Sequence, residues 1–422
     1  MNINYGQLSN LTNGMSLTSE SKKRKILYIS YDGLMEPLGQ SQVLNYLKGL
    51  STDYQMFVIS YEKKEDYLDL KKKKLLKEIV SEKNINWIAL RYHSNYRVLS
   101  TIYDVLLGFI VSFFLITFNR IQLIHIRSTI PGLIAQLLNI FLNFKLIFDM
   151  RGFWSDEKAD RGGWSREGML YKFFNSLETK LIQNSDSVIT LTDNAIELIL
   201  SKNPLFKREK FVKITTCSDL DVFKKREEII ENKKFFTLGH VGSVDTAYDI
   251  KPILNLYKRL STKYDFFKLL FLNKGSHNYI NHQLERLNIS REGIEVIDVD
   301  FNQIPEYFKK IDFGCFYAKP NLSIKASMPT KLGEFLASGI PVLCNPLNED
   351  ITQLITKNNI GIISDFDSSL NLESIQKNLL DLSNSKDIRD KCRSVAESNF
   401  SLETGIKEYK LIYHSLLEKD LI

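Results

Sequence analysis

The segment from residue 327 to residue 342 carries the clearest chemical signal in this sequence. Ser327 can cap a helix, Pro329 suits the first turn of that helix, and Gly339 can end it. Residues 341–344 then resume as a short apolar strand. A helix that begins in this way presents free backbone N–H groups and the positive end of its dipole. The segment therefore predicts a site for an anion such as a diphosphate.

Three polar side chains at the start of this predicted helix suit the same chemistry. Thr330 and Lys331 lie at its positive end, and Glu334 follows Lys331 by three positions, so both charged groups project on one face. A cation can bind phosphate, while a carboxylate accepts hydrogen bonds from sugar hydroxyls. The alternative is an ordinary capped helix whose lysine and glutamate form a solvated pair. The spacing alone leaves both interpretations open.

The composition indicates a large folded protein. The chain has 422 residues, of which 44% are apolar, and this favours two domains over one. A formal charge of +6 and a pI of about 8.8 are too mild to indicate nucleic acid binding, but they suit an anionic membrane surface or a phosphate-bearing substrate. The cysteines form no C-x-x-C pair, so we expect a reducing cytosol rather than a disulfide framework or a zinc site. They are Cys217, Cys315, Cys344 and Cys392.

Three segments bear on secretion and membrane contact. Residues 1–21 are rich in Asn, Ser, Thr and Gly without an apolar core, which predicts a loose tail rather than a signal peptide. The longest apolar run, residues 105–118, is interrupted by Gly108 and Ser112 and falls short of the about 20 residues that span a bilayer. We expect it to form a buried or interfacial helix. The lysine run at residues 71–74 predicts a solvated helix face, with membrane contact as the alternative.

Strand-like and helix-like segments alternate from residue 25, which predicts mostly parallel sheets covered on both faces. The first set of predicted strands comprises residues 26–30, 55–59, 87–90, 121–126, 145–149 and 187–191, and the second comprises residues 235–241, 267–272, 293–297, 313–317, 341–344 and 361–364. Two such halves place a cleft between the carboxyl ends of two sheets, where α/β folds bind ligands. The predicted division is a flexible tail (1–24), an N-terminal domain (25–216), a linker (217–234), a C-terminal domain (235–399) and a C-terminal helix (400–422).

The order of several segments resembles the family-4 glycosyltransferases with the GT-B architecture, of the type that builds bacterial capsule, O-antigen and exopolysaccharide. The resemblance runs from about Lys25 to the C-terminal helix. It is carried by ILYISYDGLMEPLGQSQV (26–43), IHIRS (124–128), FDMRGFWSDE (148–157), ITTCSDLDVF (214–223), GHVGS (239–243) and the segment 327–342. It implies two Rossmann-like domains that face each other across a cleft, with a C-terminal helix returning to the first domain.

The sequence departs from the family's pattern in the half that would bind the donor. Glu334 fits the second glutamate of the family's donor motif, but the first would fall on Ala326. The family's basic pair would fall near Ser243 and Asp249, neither of which is basic. Lys331, with help from Lys325, is the candidate to supply the missing positive charge.

The resemblance implies a donor site in the C-terminal domain. Gly242 and Ser243 at a strand end would let the backbone approach the phosphates closely, and Glu334 would bind the ribose hydroxyls. Fixed N–H dipoles and cations would stabilise the departing diphosphate, so no metal and no cofactor are expected. The predicted donor-binding residues are Gly242, Ser243, Lys325, Pro329, Thr330, Lys331 and Glu334.

The resemblance also implies catalytic and acceptor-binding residues on the opposite side of the cleft. Asp149 and Arg151 end one strand and His125 and Arg127 end its neighbour, although the first two could pair with each other and Arg127 could bind a backbone carbonyl. The segment Gly39, Gln40 and Ser41 would let the acceptor approach a helix N-terminus, or it could be a plain strand-to-helix turn. The predicted catalytic residues are Asp149, Arg151, Lys331 and Glu334, and the predicted acceptor-binding residues are Gly39, Gln40, Ser41, His125 and Arg127.

The resemblance implies a hexosyl-type glycosyltransferase, retaining in stereochemistry, that moves a sugar from a nucleotide diphosphate sugar to a lipid-linked saccharide. The expected location is the cytoplasm, with peripheral contact to the anionic inner face of the cell membrane and no nucleic acid partner. Two alternatives remain open: a nucleotide-sugar epimerase, and a noncatalytic nucleotide- or carbohydrate-binding subunit of a glycan assembly complex.

Overall fold

A computed structural model describes residues 23–96, 98–225, 234–245, 247–366 and 371–418 of the chain. Residues 1–22 of the predicted tail, residues 226–233 of the predicted linker and residues 419–422 at the end of the predicted C-terminal helix lie outside the described residues. In the rest of the chain, strands and helices alternate as the sequence predicts.

The first sheet is parallel and is built from the first half of the chain. Its strands are β1 (Lys25–Ser30), β2 (Gln55–Glu62), β3 (Ile85–Arg91), β4 (Leu123–Arg127), β5 (Lys145–Asp149), β6 (Ser187–Thr190) and β7 (Phe211–Lys213). They follow the order β3-β2-β1-β4-β5-β6-β7. The helices between them are α1 (Pro37–Gly39), α2 (Asn45–Leu50), α3 (Lys64–Leu68), α4 (Leu70–Glu82), α5 (Val98–Asn119), α6 (Thr129–Leu138), α7 (Trp154–Asp160), α8 (Met169–Asn184) and α9 (Asp193–Lys202).

The second sheet is also parallel and has six strands within the described residues. They are β8 (Phe236–Val241), β9 (Phe267–Leu272), β10 (Ile294–Ile297), β11 (Phe313–Phe316), β12 (Val342–Cys344) and β13 (Gly361–Ile363), in the order β10-β9-β8-β11-β12-β13. The helices are α10 (Lys251–Lys263), α11 (His277–Arg286), α12 (Ile304–Phe308), α13 (Thr330–Ala337), α14 (Glu349–Asn358), α15 (Leu372–Ser383), α16 (Ile388–Phe400) and α17 (Leu402–Glu418).

Each sheet is covered by apolar helices on both faces. On one face of the first sheet, Leu27 and Ile29 of β1 join a core with α5, α6, α8 and α9. On the other face, Ile26 and Tyr28 join a core with α2, α4 and α17. The second sheet likewise divides its side chains between two cores. This alternation along buried parallel strands confirms the α/β architecture.

Helix α5 is longer than the apolar run that predicts it. It has 22 residues, and by length and composition alone it could cross a membrane, although 33% of its most apolar window is buried in the protein. The expectation that this segment is too short to span a bilayer is therefore wrong, because the helix as a whole is long enough. The helix begins before the apolar run because its polar residues are bonded: Ser100 accepts a hydrogen bond from the backbone of Tyr96, and Asp104 contacts His93.

The helix predicted near Gly39, Gln40 and Ser41 begins at Pro37, so Gly39 lies in its first turn and the acceptor contact of the three residues stays a prediction. The turns Pro37–Gly39, Gln40–Leu44 and Asn45–Leu50 follow one another without a break, and the middle one is a π-helix. Gln40 and Ser41 therefore lie beyond the first turn, and the N–H of Gln40 donates to the carbonyl of Glu36. Gly39 is required by packing, because a Cβ there would lie 1.8 Å from the carbonyl oxygen of Gly33.

The C-terminal helix α17 returns to the first domain and packs on α2 and β4. Its Tyr409 hydroxyl donates to Asp149 at 2.9 Å, and Tyr413 shares a 2.7 Å hydrogen bond with Nδ1 of His125. Both tyrosines are buried. The last helix is thus bonded to the carboxyl ends of β4 and β5.

We expect Gly39→Ala to lower the free energy of unfolding of the first domain by about 2 kcal/mol or more, because the new methyl group meets rigid backbone. The control is Gly49→Ala, whose Cβ would meet the side chain of Ile406, with Cδ1 at 2.3 Å, rather than rigid backbone. Urea unfolding followed by tryptophan fluorescence measures both, since all three tryptophans lie in the first domain. Equal losses in the two variants would contradict the packing argument.

We expect Tyr409→Phe to destabilise the first domain by about 1.5–3 kcal/mol, because it removes a hydrogen bond to a buried carboxylate. The control is Tyr54→Phe, which loses only a 3.4 Å contact with the carbonyl of Lys410 and should cost less than about 1 kcal/mol. The same urea titration compares them. A Tyr409→Phe variant as stable as the control would show that this contact does not hold α17.

Candidate active site

The helix α13, which contains the strongest sequence signal, begins differently from the prediction. It starts at Thr330 with Pro329 as its N-cap residue, and Ser327 does not cap it. The Ser327 hydroxyl instead donates to the carbonyl of Ser323 in the preceding 3-10 turn. The stop at Gly339 is as expected, with a left-handed φ of 73°. The free N–H groups of the first turn thus lie at Thr330 and Lys331.

Lys331 is a buried cation whose charged atom lacks a hydrogen-bond partner among the described residues. Lys331 is only 7% exposed, and its Nζ lies 3.7 Å from the centre of the Tyr248 ring. Burial lowers the pKa of Lys331, and attraction to Glu334 opposes that shift. The interpretation as a solvated surface pair is therefore wrong.

Glu334 lies on the same buried face of α13 and is 6% exposed. Burial raises the pKa of its carboxyl, and the nearby charge of Lys331 opposes the rise. The two groups thus partly stabilise each other's charges while both are removed from water. A ligand with phosphates and hydroxyls offers each of them the polar partner that water would otherwise supply.

The loop after β8 comes close to Lys331. Gly242 has φ of 89°, a conformation that favours glycine, and a Cβ there would lie 3.8 Å from Nζ of Lys331. Gly242 and Ser243 are exposed, whereas the neighbouring His240 is buried and bonded to the carbonyls of Cys315 and Ser243. The structure therefore brings the predicted glycine loop and the predicted lysine together.

The remaining predicted donor residues surround the same helix start. Pro329 is buried and Thr330 is half-buried. Lys325 has an exposed side chain, and its carbonyl accepts a 2.8 Å hydrogen bond from Asn194 of the first domain. Its side chain could reach the site only from the solvent side, unlike that of Lys331.

In the first domain, the two predicted strand-end pairs form one buried cluster around Asp149. His125 Nε2 and Arg127 Nη1 lie 3.6 Å from Oδ2 of Asp149, and Arg151 Nη1 lies 3.7 Å from Oδ1. Burial alone would raise the pKa of Asp149, but Arg151, His125 and Arg127 outweigh it and hold the pKa below its usual value. Arg127 also contacts Asp32 at 3.5 Å. Asp149 and Arg151 thus pair with each other, as the alternative interpretation predicts, but this pair is one contact of a larger ionic network.

Burial limits what two members of this cluster can touch. Asp149 and His125 are both fully buried, and each is bonded to a tyrosine of α17. Burial also lowers the pKa of His125, although Asp149 opposes the shift. Neither side chain is exposed for direct contact with a ligand, and the predicted catalytic role of Asp149 and acceptor contact of His125 stay predictions.

Arg151 is the member of the cluster with unused donors. It has a left-handed φ of 54°, and its Nη2 donates to Oε1 of Gln42 at 3.4 Å. Its Nε and Nη1 have no hydrogen-bond partner in the described residues, although Nη1 lies near Asp149. A buried guanidinium with free N–H groups can bind an anion or a sugar hydroxyl.

The segment between the two domains connects this cluster to α13. Gln42 donates to the carbonyl of Cys217 at 2.8 Å, and Thr216 donates to the carbonyl of Met328 just before α13. The Ser218 hydroxyl would lie 2.9 Å from a Cβ placed on Gly333. Arg151 and the start of α13 therefore lie on either side of residues 216–218.

Two carboxylates fix the loops around the site across the domain boundary. Asp350 accepts hydrogen bonds from the backbone of Asp193 and Asn194 at the start of α9. Asp160 accepts one from the backbone of Ser323, in the turn that leads to α13. Sequence reasoning missed these residues and also Gln42 and Tyr248, because their importance depends on partners far away in the chain.

No group of three or more His, Cys, Asp or Glu side chains in the described part of the chain is placed to hold a metal ion. Positive charge at the site comes from Lys331, Arg151 and Arg127 together with the N-terminus of α13. This donor set suits a diphosphate, because charge-assisted N–H groups bind phosphate oxygens strongly.

No protein-family model matches the chain. Among curated proteins, it is similar to the proposed teichuronic acid biosynthesis glycosyltransferase TuaH of Bacillus subtilis (strain 168), with 24% identity over 220 residues. That alignment covers 51% of this chain and 53% of the relative, so the chain spans about half the length of this relative.

Solved structures match nearly the whole chain. A glycosyltransferase from Rickettsia africae has a TM-score of 0.67 at 16% identity, covering 94% of this chain and 99% of its own. Anabaena HepE, solved with UDP and glucose, has a TM-score of 0.66 at 12% identity, covering 93% and 100%. A proposed UDP-N-acetylglucosamine 2-epimerase from Listeria monocytogenes has a TM-score of 0.60 at 12% identity, covering 94% and 97%. The chain therefore has the GT-B fold, and in sequence it resembles a glycosyltransferase of bacterial surface polysaccharide synthesis.

Proposed function

We propose that this protein is a hexosyl-type glycosyltransferase that transfers a sugar from a nucleotide diphosphate sugar to a saccharide in surface polysaccharide synthesis. The observation that carries the proposal is the buried Lys331, whose Nζ has no hydrogen-bond partner in the described residues and faces the Gly242 loop at the start of α13. The relative assigned to teichuronic acid synthesis and the UDP-bound structure of similar fold support it.

The donor would bind with its diphosphate between the Gly242 loop and the start of α13. Backbone N–H groups at Thr330 and Lys331 and the ammonium of Lys331 would stabilise the charge that develops as the diphosphate leaves. Glu334, on the same buried face, would accept hydrogen bonds from the ribose hydroxyls. The site would act by preorganised charge rather than by a covalent step.

The acceptor would enter from the first domain, next to Arg127 and Arg151. The unused N–H groups of Arg151 would orient an acceptor hydroxyl or share the charge of the diphosphate, while Asp149 holds both guanidinium groups in place. Retention of configuration would follow if the acceptor attacks from the side of the leaving diphosphate, with that diphosphate taking the proton.

The acceptor is proposed to be lipid-linked and the location cytoplasmic, at the inner face of the cell membrane. A nucleotide sugar donor suits the cytoplasm, and the four cysteines are unpaired and buried, which suits a reducing compartment. The long apolar helix α5 lies in the domain proposed to bind the acceptor.

A nucleotide-sugar epimerase is the alternative enzyme, and the Listeria structure of the same fold supports this alternative. A noncatalytic binding subunit is the second rival. The test begins with thermal shift against UDP, GDP, ADP and CMP, since a ligand of the native state raises its apparent stability. Radiolabelled donors with the identified base then give transfer to an acceptor, an epimerised nucleotide sugar, or binding without turnover. Only the first outcome agrees with the proposal.

We expect Lys331→Ala to lower transfer by about 100-fold, or about 3 kcal/mol, because its contact with the diphosphate strengthens as the leaving group departs. Glu334→Gln should raise KM for the donor more than it lowers kcat, because ribose contacts are equal in the ground and transition states. Steady-state kinetics measure both effects. Lys357→Ala, at an exposed position on α14, is the matched control for loss of a positive charge. Values of kcat and KM within threefold of wild type for both site variants would show that the donor does not bind at α13.

We expect transfer to persist in excess EDTA. The positive charge needed at the diphosphate would come from Lys331 and the N-terminus of α13, and no metal-binding group of side chains occurs among the residues described. Activity with and without EDTA, and after readdition of Mg²⁺ or Mn²⁺, is the measurement. Loss of activity that either ion restores would contradict this mechanism.

A further inference from the structure

Helix α5 exposes a row of large apolar side chains along its whole length. We call this set the apolar row. Its members are between 49% and 78% exposed and recur every three or four residues, so they lie on one face: Leu99, Ile102, Tyr103, Leu106, Ile110, Phe114 and Phe118. The helix carries a single charged residue, Asp104, which is buried. An exposed apolar face of this length requires an explanation, because soluble surfaces rarely show one.

The opposite face of α5 is anchored in the first domain. Val105, Gly108, Ser112 and Ile116 are buried against the sheet. Asp104 is bonded to the hydroxyl of Tyr31 at 2.9 Å and to His93. A helix held by these contacts cannot leave the domain to cross a bilayer without breaking them. The apolar row can therefore lie at a membrane surface, but it cannot span the membrane in this fold.

A second apolar group extends the row at the end of α5 that is far from the cleft. Phe141, which is 64% exposed, packs on Phe109 and Phe113 with ring centres 6.0 and 6.5 Å apart, and Ile140 beside it is also exposed. The exposed apolar surface thus continues from α5 onto the loop after α6. It is a surface patch rather than a single ridge.

Helix α4, which covers the other face of the first sheet, carries positive charge near the β3 edge. Lys72 pairs with Asp66 and Lys73 covers the ring of Tyr67, so the lysine run does not form one solvated face. Lys71, Lys74 and Lys77 are exposed, and their spacing places them near one another on α4. The three lysines form what we call the basic row.

A groove of about 870 Å³ runs around the edge strand β3 between α4 and α5. Lys74 and Lys77 line it on the side of α4 together with Glu78 and Glu82. Leu115, next to the apolar row but not part of it, lines it on the side of α5. Exposed Leu70 and Leu75 add apolar surface beside the basic row. Cations next to an apolar surface match an anionic bilayer, whose headgroups are negative and whose interior is apolar. A second copy of the chain would instead bring lysines against lysines wherever the basic rows met.

We propose that the apolar row of α5 binds the interfacial region of an anionic membrane while the basic row of α4 contacts the headgroups. Helix α5 begins at the carboxyl edge of the first sheet, where Tyr31 contacts Asp104 and the next residue, Asp32, contacts Arg127. Docking would therefore present a lipid-linked saccharide beside Arg127. This last step rests on the proposed function, whereas membrane binding itself does not.

The experiment is flotation of the full chain with vesicles of phosphatidylcholine, with and without phosphatidylglycerol. The wild type should float with the anionic vesicles and dissociate in high salt, because salt screens the lysines. Ile110→Glu with Phe114→Glu should lower binding at least about tenfold, because two charges enter the apolar region. The matched control is Leu205→Glu with Leu411→Glu, two exposed leucines outside the patch, which should float like the wild type.

A second variant tests the charge. Lys71→Glu with Lys74→Glu and Lys77→Glu should weaken binding to anionic vesicles by more than about fivefold per lysine and should leave thermal unfolding unchanged. Flotation equal to wild type in either patch variant would overturn the proposal. So would resistance to carbonate extraction, or a wild-type dimer by light scattering that becomes a monomer when Ile110→Glu and Phe114→Glu are introduced. None of these measurements requires transferase activity. A negative result would therefore contradict membrane binding without contradicting the proposed function.

Discussion

The first half of the site depends on the contacts that surround the buried carboxylate of Asp149. An isolated charge at this depth would be very costly, and it is tolerated because Arg127, Arg151, His125 and Tyr409 surround it. Those partners come from two neighbouring strand ends and from the last helix. One charge therefore fixes the direction of two guanidinium groups and the position of α17.

The second half of the site depends on the reverse arrangement, a buried cation that lacks a matching hydrogen-bond acceptor in the described residues. Among the described residues, the Tyr248 ring and the charge of Glu334 partly offset the loss of water at Lys331. This arrangement destabilises the empty site and favours an anionic ligand, because the ligand supplies the acceptor that the protein leaves out.

The sequence predicts the features of the fold that depend on local pattern. Apolar runs of buried parallel strands can be read directly: the predicted strands 26–30 and 145–149 match β1 and β5 to within a residue. The local pattern gives the wrong role to Ser327 and does not reveal the contacts of Gly39 or of Lys73. Each has its role set by a partner elsewhere, such as the carbonyl of Gly33 for Gly39 or the ring of Tyr67 for Lys73. Patterns within a few residues carry no information about such partners.

The same distinction applies to the site. The lysine and glutamate of α13 could be predicted because a helix N-terminus and a three-residue spacing are local features. The contacts that connect these two residues to the first domain could not be predicted. Asp160 holds the backbone of Ser323, and Thr216 holds that of Met328, so the turn before α13 is attached to the opposite domain at two points. The direction of the α13 N-terminus is therefore set by both domains together. A change in the angle between the domains would move the proposed diphosphate site relative to Arg151, and would in this way couple domain closure to the proposed transfer reaction.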